Sequence, residues 1–228
     1  MTHAPGEGQE RSPRAEGEGS DSRLGASSAV QEFFGAAYGN VAGFDRLLRE
    51  QGEQRGLIGP REVERLWERH LLNSAALVQY LPDSGTVIDV GSGAGLPGII
   101  VAMMRPDLDV VLIEPMERRT TWLSEVVETF GLKNVTVRRG RAEEYHGALE
   151  ADVVTSRAVA NLAKLARMSM PLVRRGGRMV VLKGRNAANE IEPARVVLRK
   201  FRADEPELLR GITVVGVEPT TVVSVRRG

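Results

Sequence analysis

The chain has 228 residues, enough for one domain with a sizeable core, and its formal net charge is only +1. Any nucleic-acid binding must therefore depend on how the charges are distributed. The sequence contains no cysteine, which excludes disulfide bonds, thiolate metal sites and a cysteine nucleophile. It has no apolar run near the ~18 residues of a membrane span, and its polar N-terminus does not resemble a secretory signal. We expect a cytoplasmic protein.

The N-terminal part divides into a polar tail and a helical region. Residues 1–28 are mostly Gly, Ser, Glu and Arg, and they bury too little apolar surface to offset the entropy of ordering. Apolar side chains then recur at helical spacing over 30–48 and again over 60–77. The sequence predicts a disordered tail (1–28) and one domain (29–228), made of N-terminal helices (29–82) and an α/β core (83–228).

From residue 83 onward, predicted strands and helices alternate along the chain. Strands are predicted at 86–90, 109–114, 134–138, 151–155, 178–183, 212–217 and 220–225, and helices at 96–104, 117–131, 160–173 and 188–201. This alternation is typical of a doubly wound, mostly parallel sheet, whereas the last two strands are close enough to pair as an antiparallel edge hairpin. The predicted fold class is α/β, with a Rossmann-like sheet of seven strands.

The most informative segment is the loop after the first core strand, where Asp89 is followed by Gly91, Gly93 and Gly95. Glycines at these positions let the backbone turn tightly and let a ligand approach. The G-x-G-x-x-G pattern of dinucleotide folds fits only loosely. The spacing instead resembles the D-x-G-x-G-x-G loop of class I S-adenosylmethionine (SAM) methyltransferases, where a carboxylate suits the cationic methionine end of SAM. Glu114, which ends the next strand, is placed to accept ribose hydroxyls, as it would be in an NAD enzyme.

A further candidate contact follows the third core strand, at Ala142 and Glu143. A backbone N–H and a carboxylate at this strand end can meet the adenine ring of a bound nucleoside. The local sequence alone favours the alternative, in which the acids are solvated charges at a helix start.

Arg157 stands at the end of the fourth core strand, where the target of a methyltransferase usually lies. The [DN]-P-P-[FYW] motif of enzymes that methylate exocyclic amines is missing, and carbon-5 methylation of pyrimidines needs the absent cysteine. A cation fits methylation of a ring nitrogen such as guanine N7, which needs orientation and not a base. The alternative is a structural arginine paired with Asp152 or Glu143.

Charge is unevenly distributed, since residues 164–202 carry eleven Lys and Arg side chains against two Glu. Such a stretch is typical of proteins that bind a polyanion, although a solvated basic face is the common alternative. Lys183, at the end of the fifth core strand, is the best single candidate for contact with RNA, and we assign it a catalytic role together with Arg157. His70 is interpreted as a core or interface histidine, and no residue is assigned to a metal.

Five segments occur in an order that resembles one known family. They are RHLLNS (69–74), IDVGSGAGLPG (88–98), RAEE (141–144), TSRAVA (155–160) and LKG (182–184). They resemble the RsmG family, also called GidB, of 16S ribosomal RNA guanine-N7 methyltransferases, and the similarity runs from about Val41 to Val225. The resemblance implies SAM-dependent methylation of guanine N7 in a loop of 16S rRNA near the decoding site.

The resemblance also implies a set of site residues and partners. By position, the cofactor contacts are Gly91, Leu96, Ala142, Glu143 and Arg157, with Glu114 placed by the fold. The implied partner is 16S rRNA or the small ribosomal subunit, and we expect a monomer without a metal. Two positions depart from many relatives, which carry Asn-Leu-Thr before the second helix, where this chain has residues 55–60, and Asp where it has Asn73. They leave open whether 55–60 contacts RNA.

Three other functions remain open at this stage. A SAM methyltransferase for a small molecule or a protein is opposed by the basic 164–202 stretch. An RNA-binding module without cofactor is opposed by the intact glycine loop. An NAD oxidoreductase is opposed by the spacing of Asp89 and by the lack of an obvious hydride-transfer His or Tyr–Lys pair.

Overall fold

The structure is a computed structural model that describes residues 19–228. Its α-helices are α1 (Ser20–Gly25), α2 (Ser28–Phe34), α3 (Tyr38–Gln51), α4 (Pro60–Val63), α5 (Asn73–Ala75), α6 (Gly98–Met104), α7 (Glu117–Thr129), α8 (Leu162–Ser169) and α9 (Ala187–Arg199). Short 3₁₀ turns span Gly35–Ala37, Val78–Tyr80, Ala142–Tyr145 and Met170–Leu172, and Trp67–Leu72 is π-helical. No helix of this part of the chain is long and apolar enough to cross a membrane.

The strands form one sheet of seven, which confirms the predicted fold class. They are β1 (Gly85–Val90), β2 (Leu108–Glu114), β3 (Val135–Arg139), β4 (Ala151–Thr155), β5 (Val173–Lys183), β6 (Glu207–Gly211) and β7 (Thr220–Arg226). Their order is β3-β2-β1-β4-β5-β7-β6, with β7 antiparallel to both neighbours and the other pairs parallel. The order reverses between β1 and β4, which opens a crevice at the carboxyl ends of these strands.

The sheet is covered on both faces because successive strand residues point to opposite sides. Val87 belongs to the hydrophobic cluster that contains Phe44 of α3 and Trp122 of α7. Its neighbour Ile88 belongs to the cluster that contains Leu165 of α8. The N-terminal helices therefore share a core with one face of the sheet, and the last four residues of β1 are all buried.

The predicted disordered tail is wrong from Ser20 onward, whereas residues 1–18 lie outside the described part of the chain. Asp21 of α1 is buried, and its carboxylate accepts hydrogen bonds from the backbone N–H groups of Trp67 (3.0 Å) and Glu68 (3.1 Å). It also forms a 2.7 Å ion pair with Arg49. A polar composition does not reveal that one carboxylate will tie the segment to another helix, so the pattern alone predicts disorder.

The two predicted N-terminal helices are each interrupted in the structure. Gly35 adopts a positive φ of 52° and separates α2 from α3 through a 3₁₀ turn. The second helix divides into α4, the π-helical turn and α5. π-Turns within helices are often found at functional sites.

The predicted strand at 212–217 is also wrong. This segment is part of a connecting loop in which Ile212 is 65% exposed and Val215 is fully exposed, while β6 precedes it. Leu209 of β6 pairs opposite Val222 of β7, so the predicted antiparallel edge hairpin exists with a longer loop, 212–219. The apolar residues that suggested a strand do not alternate across a sheet: Val214 belongs to the hydrophobic core, whereas Ile212 and Val215 are exposed.

Candidate cofactor and substrate site

A concave site that fits a nucleoside lies in the crevice between β1 and β4. Its volume is about 610 Å³, within the usual range for small-molecule pockets. It is lined by the ends of β1 and β2, residues 140–143 after β3, residues 157–159 after β4, and residues 57–59 of the N-terminal region. We call it the first cavity.

The glycine loop forms the floor of the first cavity, and its glycines adopt positive φ angles that other residues rarely adopt. Gly91 (φ 72°) and Gly93 (φ 57°) both line the cavity. A Cβ at Gly91 would lie 2.7 Å from Cγ2 of Val159, so a larger residue would displace the loop that faces it. Gly93 has nothing nearer than 3.8 Å, because it faces open space. Gly95 does not line the cavity, and a Cβ there would lie 2.7 Å from Ile99.

The sequence predicted that Asp89 contacts the cofactor. In the structure, Asp89 lies beneath the glycine loop and does not line the first cavity. Its side chain is fully buried, and Oδ2 accepts a hydrogen bond of 3.0 Å from the backbone N–H of Gly98 at the start of α6. Oδ1 has no hydrogen-bond partner among the described residues. Burial raises the pKa of Asp89 from 3.8 to about 7. The carboxyl group therefore joins β1 to α6 below the glycine loop.

Glu114 both lines the first cavity and holds the glycine loop. Its Oε2 accepts a 2.9 Å hydrogen bond from the N–H of Gly93, and its Oε1 accepts one of 3.0 Å from the N–H of Met116. The side chain is buried, and Arg119 lies 3.9 Å from it. Each carboxylate oxygen has a further acceptor position, which agrees with the predicted contact to ribose hydroxyls.

The 3₁₀ turn after β3 brings Ala142 and Glu143 to the wall of the first cavity. Its two acids have different surroundings. Glu144 accepts a 2.8 Å hydrogen bond from the N–H of Arg141 and so stabilises the start of the turn, whereas Glu143 lies in the cavity lining. Leu96 also lines the cavity. The positions implied by the family resemblance therefore meet at one site.

Arg157 lies where the first cavity meets a second one of about 420 Å³. The second cavity is also lined by Arg69, Asn73 and the end of β5. The guanidinium donates a hydrogen bond of 3.3 Å to the carbonyl oxygen of Arg69. Burial lowers the pKa of Arg157, and the nearby carboxylates Asp89 and Glu62 oppose this effect.

The alternative partners of Arg157 do not pair with it. Asp152 forms a 2.6 Å ion pair with Arg174 and accepts a hydrogen bond from the N–H of Thr86. Glu143 appears in none of the ion pairs found within residues 19–228. Arg157 is therefore not held as a structural ion pair with either predicted partner.

Glu62 and His70 are site residues that the sequence pattern did not assign to function. Nε2 of His70 lies 2.7 Å from Oε2 of Glu62, and both side chains line the two cavities together with Arg157. His70 is buried, as expected, but its Nδ1 has no partner within the described chain. Burial and the charge of Arg157 lower the pKa of His70. In the sequence, only the helical spacing of Glu62 and His70 indicated that the two side chains could lie on one face of a helix. The π-helical turn at Trp67–Leu72 changes that spacing.

Lys183, to which the sequence assigned a catalytic role, does not line the first cavity. Its Nζ pairs with Glu190 Oε2 at 2.7 Å and donates a 2.9 Å hydrogen bond to the carbonyl oxygen of Ala160. Its side chain is only 9% exposed, and it lines the second cavity but not the first. Because Glu190 also accepts from the N–H of Leu162, the pair fixes the segment that follows Arg157. This geometry favours a structural role, in which the ion pair stabilises that segment.

The basic 164–202 stretch is partly neutralised by acids from several parts of the chain. Its cations that form ion pairs are Arg174, Arg178, Lys183, Arg185 and Arg195. The composition of the stretch therefore overstates the positive charge that a polyanion would meet.

Comparison with known proteins decides the family. A family model described as GidB, rRNA small subunit methyltransferase G, matches residues 39–205. The chain belongs to the GidB family. It is 49% identical over 209 residues to ribosomal RNA small subunit methyltransferase G of Beutenbergia cavernae, covering 91% of this chain and 98% of that protein. The relative of the same name in Thermobifida fusca is 50% identical over 200 residues, covering 86% and 83%.

Solved structures agree with this GidB family assignment at the level of the fold. A SAM-dependent O-methyltransferase from Thermotoga maritima superposes with a TM-score of 0.53 at 15% identity, over 79% of this chain and 71% of that one. The class I methyltransferase fold is thereby confirmed. Within residues 19–228 no group of three or more His, Cys, Asp or Glu side chains is arranged to hold a metal ion.

Proposed function

We propose that this GidB-family protein is a SAM-dependent methyltransferase that modifies N7 of a guanine in 16S rRNA, in a loop near the decoding site. The observation that carries the proposal is the first cavity, where the glycine loop, Glu114, Glu143 and Arg157 meet in a chain of this family. The substrate is protein-free 16S rRNA or the small ribosomal subunit. We further infer that the protein acts in the cytoplasm as a monomer.

The residues of the first cavity fit SAM. Gly93 leaves its backbone open to the cavity, and a volume of about 610 Å³ accommodates a nucleoside with an amino-acid tail. Glu114 has acceptor capacity for ribose hydroxyls, and Glu143 for the adenine amino group. Nε of Arg119, at the same wall, is buried without a partner in the described chain. SAM supplies an electrophilic methyl group carried by a sulfonium.

The residues around Arg157 suit a reaction that needs no proton transfer. Guanine N7 already carries a lone pair, so the protein has only to orient it and exclude water. Arg157 stands between the two cavities, and its guanidinium can donate hydrogen bonds to O6 of a guanine that enters from the second cavity. Leu57 and Ile58 cover the first cavity with apolar surface. Of the segment 55–60, whose contact with RNA the sequence left open, residues 57–59 line the first cavity, on the proposed cofactor side.

Radiolabelled methyl transfer tests this function directly. SAM carrying a labelled methyl group is incubated with small-subunit particles and with protein-free 16S rRNA, and the nucleosides are then analysed. We expect label in 7-methylguanosine, and the better acceptor shows how much ribosomal structure is needed. Absence of label from both RNAs, with SAM binding intact, would overturn the RNA substrate and favour a small-molecule methyltransferase.

A further inference from the structure

The junction of the two cavities is formed by Glu62, His70, Arg157 and Ala158, which line both of them. The first cavity contains the glycine loop and the second extends toward the end of β5. A group that enters through the second cavity meets the cofactor side only at this junction. Its side chains are therefore placed to select that group.

Selection of guanine cannot come from the reacting atom. N7 is an unprotonated ring nitrogen in both adenine and guanine, so both purines offer the same acceptor on this edge. Guanine differs by O6, which accepts hydrogen bonds, and by the N1–H and the N2 amino group, which donate them. Adenine has an acceptor at N1 and an amino group in place of O6. A guanine-selective site can therefore donate to O6, as Arg157 can, and can add an acceptor that faces N1 and N2.

We propose that Glu62 is the specificity-determining residue that recognises N1–H and the N2 amino group of the target guanine, an inference that rests on the proposed function. Among the described residues that line the second cavity, Glu62 is the one carboxylate. A carboxylate accepts hydrogen bonds at both oxygens and has no donor, which matches two adjacent donors on a base edge. The adjacent Arg157 matches O6.

The position of Glu62 suits this role because it is both fixed and accessible. Nε2 of His70 holds Oε2 at 2.7 Å, while the Glu62 side chain remains 43% exposed. His70 itself is buried in the π-helical turn, which restrains the pair. A carboxylate oxygen has no proton to donate, so the 2.7 Å contact makes Nε2 of His70 the donor to Glu62. Burial and the charge of Arg157 lower the pKa of His70. His70 is thus a positioning residue.

The charge of Glu62 also opposes the wrong base. A carboxylate that faces N1 of adenine brings two acceptors together, and such unmatched polar groups are costly when desolvated. One correct bidentate contact discriminates between bases by about tenfold to a hundredfold. We expect the loss of Glu62 to reduce methylation of guanine by a factor in this range.

The test compares guanosine with inosine at the one methylated position of ligated 16S rRNA. Inosine keeps N7, O6 and N1–H but lacks the N2 amino group. The ratio of kcat/KM values for the two RNAs is measured for the wild type, Glu62→Gln, Glu62→Asp and Glu64→Gln. Glu64 is an exposed neighbour that lines neither cavity, and so Glu64→Gln is the matched control. Thermal unfolding and SAM affinity are measured for each variant.

We expect the wild type and Glu64→Gln to prefer guanosine by about tenfold or more, and Glu62→Gln to lose this preference with folding and SAM affinity retained. Glu62→Asp, which keeps the carboxylate on a shorter side chain, should retain part of the preference for guanosine. A wild-type ratio near one would overturn the proposal without any variant, as would a guanosine preference that survives in Glu62→Gln. If the wild type forms neither 7-methylguanosine on the guanosine RNA nor 7-methylinosine on the inosine RNA, the proposed function is instead rejected.

Discussion

The buried carboxyl group of Asp89 makes a testable contribution to the pH dependence of stability. Its side chain is inaccessible to solvent, and burial raises its pKa from 3.8 to about 7, opposed by the N–H of Gly98. For an acid, a folded-state pKa above the unfolded value means that ionisation disfavours the folded protein. The cost is absent below about pH 4, grows as pH rises to about 7 and is then constant. Its full size is about 4 kcal/mol.

The perturbation is Asp89→Asn, which keeps the shape and removes the charge. The amide oxygen can still accept from Gly98, and the amide nitrogen replaces the oxygen that has no partner, which gives an offset that does not depend on pH. The unfolding free energy of Asp89→Asn relative to the wild type should rise by about 1.4 kcal/mol per pH unit between pH 5 and pH 7, and level off above pH 7.

Urea unfolding at pH 5, 6, 7 and 8, followed by circular dichroism without SAM, measures this difference. Asp109→Asn is the matched control, because Asp109 is an exposed carboxylate on the neighbouring strand β2. A difference between Asp89→Asn and the wild type that stays constant over this range would refute the reasoning. So would a difference that falls as pH rises, since it would mean that the protein stabilises the ionised form.

Three further substitutions test the site. Gly93→Val should weaken SAM binding, measured by calorimetry, by about tenfold or more, because the side chain would enter the cavity and left-handed backbone disfavours valine. Arg157→Ala should reduce methyl transfer by about a hundredfold or more while the thermal midpoint stays near that of the wild type. Lys183→Met should lower the unfolding free energy by about 2–3 kcal/mol, because Glu190 loses its partner, and the folded variant should retain methyl transfer.

Each substitution has a matched control in the same chain. The controls are Gly147→Val, Arg175→Ala and Lys200→Met, at exposed positions outside both cavities. Unchanged SAM affinity in Gly93→Val would mean that the loop does not bind the cofactor. Near-normal turnover in Arg157→Ala would remove this residue from the reaction. A stable but inactive Lys183→Met would restore the catalytic role predicted from the sequence.

The sequence pattern was sufficient to predict those features of the fold that depend on residues close together along the chain. The buried apolar runs predicted the core strands, and glycines that follow a strand predicted the loop that lines the first cavity. Glu114 and Arg157 could be placed at the site because a parallel sheet brings the ends of its strands to one edge, whereas Leu96 was assigned through the family resemblance. Such features follow from residue spacing and from the geometry of strands.

Tertiary structure alone decided which polar groups meet. Glu62 and His70 come from one helical region and Arg157 from a strand end far along the chain, and no spacing rule joins that pair to Arg157. The position of Asp89 beneath the loop and the pairing of Lys183 with Glu190 likewise depend on which face is buried. The physical reason is that apolar burial follows a repeating local pattern, whereas each ion pair or hydrogen bond between distant residues depends on the arrangement of the whole chain.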